Sequence, residues 1–194
     1  MNCLQDLPPT FKRSDALEHG LSKRELYRLR DQGHIESIGS GLFRRADADL
    51  ADVDLIEIAS KAPSATLCLT TALARHGLSD AIPAALDVAI PRGARAKSTV
   101  APVVWHHFDV ATFHVGRTEL ELELEGQLRI GVYGAERCII DAFRLRSLEG
   151  AELGREALRR WLRTPGTHPS SLLTLAASFP RTVRSLRHAM EILL

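Results

Sequence analysis

The chain has 194 residues, with 25 Lys+Arg against 24 Asp+Glu; a formal charge of +1 argues against a protein that coats DNA nonspecifically. Its hydrophobic share of 45% is ordinary for a globular protein, and no uninterrupted stretch approaches the roughly 20 apolar residues that span a bilayer. Met1–Leu7 lacks a basic start followed by an apolar core, so a cytoplasmic setting without a membrane partner is expected. Cys3, Cys68 and Cys138 are odd in number and widely spaced, giving neither a disulfide framework nor a Cys-x-x-Cys metal clip.

Lys12 to Glu18 reads as a short helix with Ala16 and Leu17 inward, ended by His19-Gly20. A second helix follows a tight turn. Ser22 caps it, Glu25 three residues on completes a capping box, and Leu21 with Leu26 fits a hydrophobic staple. At 100° per residue Leu26 and Leu29 form an inner stripe, with Arg24 and Arg28 nearly opposite and Tyr27 and Asp31 beside them. His34 to Ile38, the turn Gly39-Ser40-Gly41 and Leu42-Phe43-Arg44-Arg45 then make a hairpin whose far strand ends basic. This order describes a winged helix-turn-helix over residues 1–47. Residues 21–45 hold six basic and three acidic side chains, so the basic part of this module is its second helix and hairpin.

The remainder, residues 48–194, reads as a mixed α/β domain with a helical C-terminal tail, making the whole an α+β protein. Ala46–Asp54 is the link and leads into a helix near Val53–Lys61 that Pro63 closes. Thr70 or Thr71 is expected to cap Ala72–His76. Leu86–Ile90 and Val103–His107 read as strands, joined by a path that includes the basic loop Arg92-Gly93-Ala94-Arg95-Ala96-Lys97. Thr118–Leu124 alternates Leu with Glu, and the Glu125-Gly126 turn leads into Gln127–Tyr133 as an antiparallel hairpin. Helices are expected near Glu136–Leu148, Glu152–Arg163, Ser171–Ala177 and Arg181–Leu194. Charge is uneven along the chain: +2 over residues 1–46, −5 over 47–150 and +4 over 151–194.

Three blocks bring in a family. Thr70–Leu78, ending His76-Gly77-Leu78, resembles the segment ending "HGL" in AbiEi-type antitoxin and transcriptional-regulator proteins. Leu86–Gly93 resembles their strand ending "PRG", and Ile130–Ala142, with Glu136-Arg137 and Asp141, their strand-to-helix block. Order and spacing match over nearly the whole chain. Ala135 stands where that block usually has proline, and the usual first helix is shortened to Met1–Leu7. The resemblance implies the antitoxin of a type IV toxin–antitoxin system. Its winged helix-turn-helix would bind repeats in its own promoter and repress its own operon. Its larger domain would counteract a nucleotidyltransferase toxin encoded beside it, without a stable complex. Solitary relatives without a toxin gene also occur, and for them only the regulator role survives.

From the residues themselves, a sequence-specific DNA-binding transcriptional regulator is the expected class, with double-stranded DNA as partner. Ser22, Lys23, Arg24, Tyr27 and Arg28 would face the major groove, where an arginine fork can bond guanine O6 and N7 together. Arg44 and Arg45 would serve phosphate or the minor groove from the wing. Arg92, Arg95 and Lys97 are a secondary candidate contact, with a solvated basic loop as the plain alternative. Arg155, Arg159 and Arg163, one helical turn apart, form a further basic stripe suited to nucleic acid or an acidic protein. The competing class is a metal-dependent nuclease built on Asp87 and Glu119, Glu121, Glu123 and Glu125, but no Glu-x-Lys follows and Leu/Glu alternation is what a half-exposed strand produces unaided. His106 and His107 are adjacent on a strand and point to opposite faces, which disfavours a shared metal. No catalytic residue, metal ligand or cofactor is expected.

Overall fold

A computed structural model describes residues 4, 6–39, 41–48, 52–122, 128–145 and 151–193. The protein is mixed α+β, with two sheets and eight α-helices among the described residues. It groups into two compact units, residues 1–63 with 97–101 and 120–130, and residues 64–96 with 102–119 and 131–194. The sequence reading divides the chain at residue 47, whereas this grouping also places the helix that follows and residues 97–101 and 120–130 in the first unit.

In the first unit, β1 (Thr10–Lys12) runs into α1 (Arg13–Glu18), and α2 (Lys23–Asp31) is followed by β2 (Ile35–Gly39), β3 (Leu42–Arg45) and α3 (Val53–Lys61). The strands form an antiparallel sheet in the order β1-β3-β2, with Phe11 opposite Phe43 and Ser37 opposite Phe43 on the other side. The strand β1 corrects the sequence reading, which began a helix at Lys12. A three-residue strand carries too little alternation to be read locally, and its pairing partner lies over thirty positions away. Gly20 turns the chain between α1 and α2 at φ +86°, a backbone region that side chains disfavour. The first core consists of Leu7, Phe11, Ala16, Leu26, Ile35 and Phe43, with Leu21 and Leu29 packed against it. The Ser40 turn and the Asp49–Ala51 part of the expected link lie outside the described residues, as do Met1–Cys3 of the shortened first helix.

Glu57 joins α3 to the segment 97–101 within the same unit. Its side chain is 2% exposed; it accepts hydrogen bonds from the Val100 amide at 3.0 Å and the Ala101 amide at 3.1 Å, and from Lys61 Nζ at 2.7 Å. Burial pushes its carboxyl up, but the Lys61 ammonium and the two amides outweigh that and leave it below its ordinary value.

The second unit contains β4 (Thr66–Leu67), α4 (Leu69–Arg75), β5 (Leu86–Pro91), β6 (Val103–Phe108) and a 3₁₀ turn at Val110–Thr112. With β7 (Arg117–Leu122) and β8 (Leu128–Tyr133), these strands make a five-stranded mixed sheet in the order β6-β5-β4-β8-β7. The central strand β4 is antiparallel to β5 and parallel to β8. It has two residues, too few for any periodic signal. The helices are α5 (Ala135–Arg144), α6 (Ala151–Arg163), α7 (Pro169–Ala176) and α8 (Pro180–Leu193), and α5 packs against α4, α6, α7 and α8. Neither Thr70 nor Thr71 caps α4: Cys68 occupies that position, and the Thr71 hydroxyl instead accepts the Asp87 amide at 2.8 Å. The strand amide, rather than the helix end, takes the hydroxyl. On β7, Leu122 is buried while Glu119 and Glu121 face solvent; Glu123, Leu124, the Glu125-Gly126 turn and Gln127 lie outside the described residues, as does Leu148.

Arg137 on α5 is fully buried. Its Nε donates to Asp141 Oδ2 at 2.8 Å, its Nη1 to the carbonyls of Thr112 at 2.7 Å and Val115 at 2.6 Å, and its guanidinium lies 4.2 Å from the Tyr133 ring centroid and 4.5 Å from that of Phe179. Gly116, at φ +69°, lies directly against it: a Cβ there would stand 2.9 Å from Arg137 Cβ.

Glu57→Gln should therefore cost stability at neutral pH, by roughly 1–3 kcal/mol for a buried group losing charged hydrogen bonds. Because the folded-state carboxyl titrates below its unfolded value, this stabilisation is complete above about pH 4.3 and disappears as pH falls through the depressed folded value. Urea unfolding of both proteins from pH 7 to pH 3 should show the gap between them closing in acid; a constant gap would contradict the assignment.

Candidate nucleic-acid interface

The helix α2 is built from its cap outward. Ser22 Oγ accepts the Glu25 amide at 3.2 Å, the Ser22 amide donates to Glu25 Oε2 at 2.9 Å, and Ser22 Oγ donates to the same oxygen at 2.7 Å. The Ser22 hydroxyl, then its amide, hold the Glu25 carboxyl below its ordinary value. This reciprocal cap satisfies helix-end donors and sets where the helix begins. Leu26, fully buried, and Leu29 anchor the inner face.

The outer face carries the charge. Lys23, Arg24 and Arg28 are exposed, and among the described residues none has a side-chain hydrogen bond or ion pair. Arg24 and Arg28 are one turn apart and so share one surface. Tyr27 is half-buried, its ring edge-on to Phe43 at 6.5 Å, with the Arg30 guanidinium 4.9 Å from its centroid. Arg30 is itself tied to Asp31 at 2.7 Å. Tyr27 thus belongs partly to the core, and Ser22 is already engaged at both its donor and its acceptor.

The two arginines of β3 need correction. Arg44 is only 6% exposed and donates to Thr10 Oγ1 at 2.7 Å across the β1–β3 pair. Phe43 takes the core face of β3, so alternation sends Arg44 to the opposite face beside Thr10, which is buried as well. Arg45 binds Asp47 through Nε at 2.9 Å and Nη2 at 2.8 Å and reaches the Leu7 carbonyl at 3.3 Å. Hydrogen bonding to Asp47 raises Arg45 above its ordinary value and lowers Asp47. Neither arginine projects freely from the hairpin.

Two cations not singled out from the sequence stand beside that hairpin instead. Lys12 pairs with Leu42 in the strand register, and the Arg13 amide donates to the Gly41 carbonyl at 2.9 Å. Both side chains are exposed and line a cleft of about 340 Å³ with Ser14, Gly41, Glu57 and Lys61. Lys12-Arg13 is a visible basic pair in the sequence, but assigning it to a helix start hid its place at the hairpin edge.

Arg92 and Arg95 are exposed in the second unit and Lys97 is exposed in the first; Arg92 lies 3.9 Å from Asp109. The basic stripe on α6 is largely neutralised: Arg159 binds Glu156 at 2.7 Å, Arg155 lies 3.9 Å from Glu152, and Arg163 alone of the three is exposed without such a partner among the described residues. Arg160 bridges Glu156 and Asp80, each held below its ordinary value by that hydrogen bonding.

Of the carboxylates considered for a nuclease, the three described ones each have a separate side-chain partner. Asp87 binds His106 at 2.8 Å, Glu119 binds Arg117 at 3.0 Å and Glu121 binds Arg129 at 2.9 Å, while Glu123 and Glu125 lie outside the described residues. His107 points away from His106, toward the Ala94 carbonyl at 3.2 Å. Among the described residues no group of three or more His, Cys, Asp or Glu side chains is arranged to hold a metal ion, and no helix is long and apolar enough to cross a membrane. Cys68 and Cys138 are buried, and burial pushes the Cys138 thiol up.

A scan against protein-family models finds no match, and a search of curated proteins finds no significant relative.

Removing the internal arginine should differ from removing a free one. Arg44→Ala leaves Thr10 without its donor in a buried position and should lower unfolding stability by about 1–3 kcal/mol, whereas Arg24→Ala at an exposed position should stay within about 0.5 kcal/mol. Urea titrations of the two variants check this; equal effects would mean that Arg44 is not a structural residue.

Proposed function

We propose that this chain is a sequence-specific DNA-binding transcriptional regulator. In this reading its N-terminal unit is a winged helix-turn-helix, with α1 and α2 as the helical pair, α2 as the recognition helix and the β2–β3 hairpin as the wing. The observation that carries the proposal is the pair Arg24 and Arg28: exposed, unpaired and on one face of a helix whose start is held by a reciprocal cap. Arginine pairs so presented match the donor geometry needed for guanine edges or phosphate. Lys23 adds charge at the helix start, and Lys12 and Arg13 replace Arg44 and Arg45 as the hairpin-side phosphate contacts. The partner is double-stranded DNA carrying repeats upstream of the chain's own gene.

The residue blocks of the second unit favour a finer version, in which the regulator is a type IV antitoxin that opposes a neighbouring nucleotidyltransferase toxin. His76 of the first block donates from Nε2 to the Tyr133 carbonyl at 2.8 Å, so that block meets the third, and Arg137 and Asp141 of the third form a buried ion pair. A nucleotidyltransferase gene beside this one supports the antitoxin role; its absence leaves a solitary regulator.

Gel-shift titration with DNA from upstream of the gene tests the main reading. Arg24→Ala/Arg28→Ala should weaken binding by roughly 100-fold, given about 1–3 kcal/mol per good base contact, with an unchanged thermal midpoint. Unaltered affinity in the double variant would overturn α2 as the reader.

A further inference from the structure

A second set of unpaired arginines lies in the second unit, on α8. Arg181, Arg184 and Arg187 are exposed and have no ion-pair or hydrogen-bond partner among the described residues. Helical spacing puts them with His188 on the face opposite Thr182, Leu186, Ala189 and Met190, which are buried. One carboxylate shares that face, Glu191, which lies 3.9 Å from His188. The helix therefore presents three arginines against one glutamate, whereas the arginines of α6 are mostly tied to their own acids.

Beneath this face runs a groove of about 1240 Å³, lined by Phe143, Arg144, Phe179 and the exposed side of α8. Arg144 adds positive charge to its wall, with the buried Arg137 behind it. Arg137 and Arg144 share the single carboxylate of Asp141: Arg137 Nε binds Oδ2 at 2.8 Å and Arg144 Nε binds Oδ1 at 3.1 Å. Arg144 Nη2 lies 2.9 Å from the same Oδ1 without making a hydrogen bond of its own, and Arg137 Nη2 also has no hydrogen-bond partner. The Arg144 guanidinium sits 4.7 Å from the Phe108 centroid and 5.7 Å from that of Phe179, which fixes it in place. Among the described residues these two guanidiniums, one buried and one half-buried, share one acid, which leaves net positive charge beside the groove, and such charge is costly unless an anion meets it.

We propose that this groove binds a single strand of nucleic acid. An arginine row that follows a phosphodiester backbone, together with a half-buried aromatic ring at Phe143 available to a base, is the combination such strands require. The groove exceeds the roughly 300–1,000 Å³ of ordinary small-molecule clefts and accommodates several linked units. Arginine rather than lysine at every exposed cationic position favours phosphate, which the guanidinium fork grips with two hydrogen bonds. This site is separate from α2 and stands or falls without it.

Fluorescence anisotropy with oligo-U RNA and oligo-dT DNA of about twenty nucleotides tests the proposal, using a mixed-sequence duplex and polyglutamate as competitors. The wild type should bind at least one of the single strands, the preferred one reporting the sugar. Arg181→Ala/Arg184→Ala/Arg187→Ala should bind about tenfold or more weakly, with the log–log salt slope shallower by about 2, since each phosphate contact on a single strand contributes roughly 0.7. Phe143→Leu should weaken binding several-fold with little change of slope. Arg24→Ala/Arg28→Ala should bind the single strands as the wild type does, and all variants should keep the wild-type thermal midpoint. Binding to neither strand, an unchanged triple variant, or better competition by duplex or polyglutamate than by unlabelled single strand would overturn it.

Discussion

A guanidinium with no exposure must be neutralised and its N–H groups directed at acceptors, and the second unit is arranged around that requirement at Arg137. Asp141, one helical turn along α5, supplies the charge; the carbonyls of Thr112 and Val115 supply acceptors; Tyr133 and Phe179 supply ring faces. These partners come from the 3₁₀ turn, the loop after it, the end of β8 and the residue before α8, so one side chain ties together elements spread over some seventy positions. Gly116 has to lack a side chain because the loop comes directly against Arg137. Buried ion pairs add little net stability compared with apolar packing, but losing one partner is costly, so such a cluster favours one arrangement over its alternatives.

The same accounting of partners separates arginines that hold the fold from those left for something else. Arg44, Arg45, Arg117, Arg137 and Arg160 are all directed at oxygens of the protein. Among the described residues Arg24 and Arg28 on α2, and Arg181, Arg184 and Arg187 on α8, are not. A chain of near-neutral total charge therefore presents, among the described residues, exposed positive charge on α2 in one unit and on α8 in the other. The arginines on α2 follow a reciprocally capped helix start and lie one turn apart, while those on α8 line a groove with an aromatic wall. Charge placement, rather than net charge, distinguishes the proposed partners.

How much could be read from the sequence depended on how local each cause is. The start of α2 was legible because Ser22 and Glu25 interact over three residues, and its buried face because Leu26 and Leu29 follow a helical period. The exposure of Lys23, Arg24 and Arg28 followed from the same geometry. The inward turn of Arg44 was not legible, since alternation along a four-residue strand gives two faces without revealing that both are covered, and its acceptor Thr10 lies 34 positions away. For the same reason β1 and β4 were invisible: three and two residues long, they exist through partners distant in sequence. Thr71 looked like a helix cap by local rules and was taken by the Asp87 amide instead. A helix near Arg181–Leu194 was legible after Pro180, but the neighbourhood of its arginines with Arg144 and Phe143 emerges only from the packing of α8 on α5.

The central claim is that α2 meets duplex DNA while the internally bonded arginines of β3 do not. Amide chemical-shift mapping of the ¹⁵N-labelled protein, titrated with duplex DNA from upstream of its gene, tests this most directly. The account predicts saturable shifts concentrated at Ser22–Arg28 and at Lys12-Arg13, with the Arg44 amide and the α8 residues largely unmoved. Shifts confined to the second unit, with α2 unchanged at saturation, would contradict it.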